Sequence, residues 1–171
     1  MSKYNLQEYV DTIFKDYEAT FSEVSLDSQN NTSLCTNTTT KVYNFDKYIT
    51  EQQTSTKLPA SPDGIYVGKK NLYFVEFKNQ QYHNIDKENI QAKFKEGTKI
   101  LEQLIDKQQF KECNFYFCVV YQKNERTKFD YSGIEKNKIK FGLENINNYY
   151  TQIITDNVGE FKETFKQELQ C

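Results

Sequence analysis

Two carboxylates and an ammonium lie within a short stretch of this chain at spacings that could bring them together. Ser61-Pro62-Asp63-Gly64 precedes the run Ile65-Tyr66-Val67, Gly68-Lys69-Lys70-Asn71 reads as a turn, and Leu72-Tyr73-Phe74-Val75 leads into Glu76-Phe77-Lys78. A hairpin centred on Lys69-Lys70 with an even loop pairs Val67 with Leu72 and sets Asp63 opposite Glu76. Directly opposed residues have Cβ atoms about 4.5–5.5 Å apart, and like charges there are destabilising. A shared divalent cation resolves the conflict, because hard cations take carboxylate oxygens. Strand side chains alternate, so Lys78 shares a face with Glu76 while Phe77 points the other way. Such a set suits metal-assisted hydrolysis. The cation neutralises an anionic substrate and activates water, and Lys78 holds that water or stabilises the developing negative charge.

Pro62-Asp63 followed by Glu76-Phe77-Lys78 resembles the PD-(D/E)xK signature of the restriction-endonuclease-like nuclease superfamily. The resemblance implies that Asp63 and Glu76 ligate Mg²⁺ or Mn²⁺, with help from the backbone carbonyl of Phe77. It implies that Lys78 orients the attacking water, and that the substrate is a phosphodiester of DNA. Many relatives add an acid from the first helix. Glu8, Glu18 and Glu23 are the candidates, with Glu18 preferred at the edge of the buried face. Some branches carry a glutamine at the start of the helix after the motif, which points to Gln91. An aromatic residue often follows it four positions on, where this chain has Lys95.

A plainer reading stands beside this one. Glu76 and Lys78 would form a solvated same-face ion pair worth almost nothing, and Pro-Asp-Gly would be ordinary turn chemistry. Tyr73-Phe74-Val75 argues against it, since a continuous apolar run marks a buried strand. If the acids face each other without a metal, one should titrate high. Glu76→Gln should then leave the metal-free protein at least as stable.

The elements that must position these groups follow from periodicity. Apolar residues from Leu6 to Phe21 have helical spacing, predicting one helix over 4–24. Residues 25–40 are rich in Ser, Asn and Thr and read as a loop, and 51–61 are polar again. A strand is expected at 41–45, running on toward Ile49, then strands at 64–67 and 72–78. Residues 86–107 form the clearest helix, in which Gly97 permits close approach to the sheet. The run 113–121 reads as a central strand covered on both faces. A strand at 138–143 and helices near 144–154 and 158–169 complete the chain. The order helix, strand, strand, strand, helix, strand is also the core of the resembled superfamily. The expected fold is therefore α/β with a mixed sheet: a restriction-endonuclease-like αβββαβ core in three α/β/α layers, forming one domain over 1–171.

The 171 residues are enough for a single core. Only 37% are hydrophobic, but 13 Tyr and 13 Phe supply bulk for it. The net charge of −2 means that contact with nucleic acid must come from local patches. Candidates are Lys69-Lys70, the series Lys87, Lys93, Lys95 and Lys99, and the series Lys136, Lys138 and Lys140. Four cysteines without a CxxC pair, and the single His83, have no zinc-site spacing, so no zinc site is expected. His83, in the loop after the motif, is left outside the mechanism. With no signal region and no run of membrane-spanning length, the expectation is a reduced, cytoplasmic protein without membrane contact.

The leading functional expectation is thus a metal-dependent DNA endonuclease of a restriction, repair, recombination or mobile-element system. It would act as a homodimer or within a larger complex, since cutting two strands needs two sites. The alternative is a nuclease-like fold used as a non-catalytic binding, inhibitor or immunity module. An RNA-directed nuclease is a third, weaker reading.

Overall fold

The computed structural model describes residues 5–123, 138–144 and 148–171. Its centre is a six-stranded mixed sheet in the order β1-β4-β5-β6-β7-β8. The strands are β1 (Glu18–Thr20), β4 (Lys41–Asn44), β5 (Gly64–Val67), β6 (Asn71–Gln81), β7 (Asn114–Gln122) and β8 (Gln152–Asn157). The steps from β1 to β6 are antiparallel, and those from β6 through β7 to β8 are parallel. A separate two-stranded ribbon joins β2 (Leu26–Asp27) to β3 (Thr32–Ser33).

Period-2 alternation on β6 divides the core into two clusters. Leu72 and Phe74 face one side with α1 (Leu6–Phe14), α3 (Phe45–Gln52) and α4 (Lys87–Leu104). Tyr73, Val75 and Phe77 face the other with α2 (Phe21–Val24) and α5 (Val158–Phe165). Helices therefore cover both faces, and β7 is buried from Phe117 to Tyr121, as its unbroken apolar run requires.

The hairpin has the expected register. Gly64 pairs with Val75 and Val67 with Leu72, and the Gly68 N–H closes the turn on the Asn71 carbonyl at 2.8 Å. Gly97 also acts as expected. A Cβ there would lie 2.5 Å from Pro62 Cδ, so its absence lets α4 close directly onto the residue before Asp63. Gly97→Ala raises helix propensity by about 1 kcal/mol, but the overlap with a buried ring carbon costs about 1–3 kcal/mol. A net fall in melting temperature is expected, measured by thermal denaturation in EDTA.

Elsewhere the structure corrects the sequence reading. The helix expected over 4–24 ends at Phe14. A single 3₁₀ turn, strand β1 and short α2 follow, because Thr20 starts a new helix with a capping box to Glu23. The strand expected to run toward Ile49 stops at Asn44, whose side chain caps α3 by accepting the Lys47 N–H. No strand forms at 138–144 among the described residues, where Phe141 and Gly142 have φ of 61° and 66°. Strand β8 occupies the end of the expected 144–154 helix, since Ile153, Ile154 and Thr155 are β-branched and pair with β7. Residues 145–147 of that helix and Lys136 lie outside the described residues. Cys35 and Cys171 form a disulfide, which corrects the expectation of fully reduced thiols, while Cys113 and Cys118 are free. No helix among the described residues is long and apolar enough to cross a membrane.

Candidate active site

Asp63 is pinned by its backbone between two neighbours. Its N–H donates to the Val75 carbonyl and its carbonyl accepts from the Phe45 N–H, both at 3.0 Å. Its side chain reaches across the hairpin, where Oδ2 accepts the Phe77 N–H at 2.6 Å. Glu76 points to the α4 face and is 1% exposed. Lys78 points the same way, lies 3.0 Å from Glu76 Oε1, and donates to Asn89 Oδ1 of α4 at 3.1 Å. The structure thus brings together the three residues of the motif.

It adds a fourth. Lys93, one α4 turn beyond Asn89, donates to Glu76 Oε2 at 2.9 Å, and its Nζ lies 2.8 Å from Oε1 and 3.9 Å from Asp63 Oδ1. One ammonium bridges both carboxylates. The sequence placed Lys93 only in a general basic patch, yet a signal was present: Lys93 falls one turn before Gly97, on the face held against Pro62-Asp63. Asp46 of α3 is a further acid that the sequence reading did not select. It accepts a hydrogen bond from buried Ser61 at 2.6 Å, and its charge acts on Lys93.

The other sequence candidates go elsewhere. Glu18 lies on β1, three strands from Glu76, in an exposed ion pair with Lys41 at 3.1 Å. Glu8 and Glu23 close the capping boxes of α1 and α2. Gln91 donates to the Phe141 carbonyl at 2.9 Å and braces that turn. Lys69 and Lys70 sit at the hairpin tip, opposite the end that carries the acids, and Lys70 pairs with Glu112 at 3.6 Å. Lys95 is exposed on α4, about 200° around the helix from Lys93.

The electrostatics follow from this burial. Desolvation, then the Glu76 charge, holds the Asp63 carboxyl well above the usual range, against the pull of Lys93, the Phe77 N–H and Lys78. Burial alone would lower the Lys93 ammonium, but the charges of Glu76 and Asp63 outweigh it and raise the group. Because folded Asp63 keeps its proton longer than the unfolded chain, its contribution to stability is complete below about pH 3.9. That contribution is lost as pH rises through the folded value. Melting temperature against pH in EDTA should therefore fall over this window in wild type and flatten in Asp63→Asn. A cation requires the deprotonated acid, so Mn²⁺ affinity should rise with pH over the same window.

The donor set fits a hard divalent cation. Glu76 Oε1 is buried without an aligned hydrogen bond despite its two short ammonium contacts, and the Asp63 and Glu76 carboxylates converge beside it. No group of three or more His, Cys, Asp or Glu suited to a metal occurs among the described residues. The remaining coordination would come from water, substrate phosphate or the Phe77 carbonyl. Lys93 holds the place that such a cation would compete for. No family model, curated protein or solved structure matches this chain.

Proposed function

We propose that the protein is a metal-dependent nuclease that hydrolyses phosphodiester bonds in DNA, built on a restriction-endonuclease-like core. The observation that carries this reading is the convergence of Asp63 and Glu76 on one cationic position, with Lys78 beside them on the same strand face. Asp63 and Glu76 would hold Mg²⁺ or Mn²⁺. The bound cation supplies charge neutralisation and a water of lowered pKa. The protein's own groups do the rest. The Phe77 N–H fixes the Asp63 carboxylate through Oδ2. Asn89 holds the Lys78 ammonium next to Glu76, where it would orient water or meet the charge that builds on phosphate. Lys93 keeps the two acids from repelling each other in the resting site and offers a second positive charge to substrate.

Cleavage of supercoiled plasmid with Mg²⁺, Mn²⁺ or EDTA tests the reading. Metal-dependent nicking that disappears in Asp63→Asn is expected. Equal activity in EDTA, or none with either metal, counts against it.

One observation favours a second reading, a non-catalytic binding or immunity module. Lys93 and Lys78 already pair with the two acids internally, so the cluster could persist as an ion-pair network without any metal. The same assay separates the two, since this reading gives no metal-dependent cleavage.

A further inference from the structure

Past the C-terminal end of β6, from Tyr82 on, lies a cavity of about 400 Å³ that the mechanism above does not use. Its lining combines the ammonium groups of Lys87, Lys138 and Lys140 with the rings of Tyr82 and Phe141, and His83 lines it too. Glu144 is the acid among the described lining residues.

Tyr82 is held like a platform. Its ring centroid lies 5.3 Å from Phe141 and 5.8 Å from Tyr121, both tilted, and 5.7 Å from the Lys140 ammonium. The residue is nonetheless 45% exposed. The opposite wall is equally fixed. Phe141 takes a left-handed conformation that costs a non-glycine residue roughly 1 kcal/mol, and Gln91 pins its carbonyl. Gly142 follows at φ 66°, and a Cβ there would lie 2.8 Å from Lys87 Cε, so only glycine leaves Lys87 its place.

One set of contacts relates the cavity to the strand that carries Glu76 and Lys78. Lys78 is in register with Tyr121 on the neighbouring strand, whose hydroxyl accepts from Lys140 at 2.8 Å. A nucleic-acid strand passing this end of the sheet would meet lysines and an exposed aromatic ring together.

We propose that this cavity binds an unpaired nucleotide of a single-stranded nucleic acid, its base on Tyr82 and its phosphate between Lys87 and Lys138. Stacking on an aromatic face is tolerant of base identity, and a neighbouring cationic track gives salt-dependent affinity. A paired base inside a duplex cannot present its face to a ring. The proposal rests on the nuclease reading for its biological sense, but its test does not depend on cleavage.

Fluorescence anisotropy with labelled oligothymidylate and with a duplex of equal length, both in EDTA, measures it. Tyr82→Ala should weaken single-strand binding about tenfold, as expected for one stacked base, and leave duplex binding unchanged. Tyr82→Phe, which keeps the ring, should restore it. Lys87→Gln with Lys138→Gln should lower the slope of log affinity against log salt by about 0.7, the value for the one single-strand phosphate they hold. Two results would overturn the proposal: equal single-strand affinity in Tyr82→Ala and wild type, or equal losses for single strand and duplex. Normal metal-dependent cleavage with an inert Tyr82 would remove this pocket and keep the nuclease reading. Tyr82-dependent binding without cleavage would do the reverse.

Discussion

Glu76→Gln is expected to lower cleavage by about a thousandfold or more, because it removes a charge that both the proposed cation and Lys78 would require. The same substitution should also destabilise the metal-free protein. Two facing acids alone would predict relief from repulsion, and the geometry reverses that expectation. Glu76 is the partner of Lys78 at 3.0 Å and of Lys93 at 2.8 Å. A neutral amide leaves two ammonium groups, each about one-fifth exposed, with weakened compensation. Since both retain some solvent and Lys93 retains Asp63, the cost is about 1–2 kcal/mol, below that of a fully buried broken pair. Chemical denaturation in EDTA checks the stability, and plasmid nicking in Mn²⁺ checks the activity. A Glu76→Gln protein that still cuts at near wild-type rate would remove Glu76 from the site.

Lys93→Met has the larger expected effect on stability. It keeps the aliphatic stem and deletes the charge that bridges Asp63 and Glu76. Removing one partner of a buried pair costs about 3–5 kcal/mol. Lys78 remains beside Glu76, so a loss near 3 kcal/mol is expected, about 6–12 °C in melting temperature for a chain of this size. Divalent metal should reverse much of it, because a cation at Asp63 and Glu76 would compete with Lys93 for the same oxygens. Melting curves in EDTA and in Mn²⁺ should therefore show a larger metal-induced rise for Lys93→Met than for wild type. A smaller rise would mean that Lys93 assists the cation instead of standing in for it.

The legible and illegible parts of this protein divide along physical lines. The hairpin register could be read because the turn residues and the period-2 pattern fix it locally, and Asp63 and Glu76 followed from it. The role of Gly97 was legible because a small residue on a buried helix stripe signals close approach. Lys93 was legible only in part: its place one turn before Gly97 put it on the close-packed face, but which groups that face meets is set by the packing of α4 on the hairpin, which no local pattern encodes. Glu18 was misplaced because an apolar spacing continuing past Phe14 hid the capping box at Thr20. Helix α3 was missed for a similar reason: Lys41 to Asn44 alternates like a strand, and the Asn44 cap that ends it is a single side-chain hydrogen bond. Strand β8 was missed because a short β-branched run beside Tyr149 and Tyr150 also fits helical spacing. The Cys35–Cys171 pairing, 136 residues apart in sequence, carried no spacing signal.

The most direct test of a shared cation at Asp63 and Glu76 is a Mn²⁺ titration followed by thermal melting. Wild type is compared with the double variant Asp63→Asn/Glu76→Gln. A ligand that binds only the folded state stabilises it by about 2.7 kcal/mol at a hundred times its dissociation constant. Wild type should therefore rise by roughly 5–10 °C with a saturable dependence on Mn²⁺, and the double variant should not respond. An equal rise in both proteins, or a flat response in wild type, would contradict a metal site at these two carboxylates.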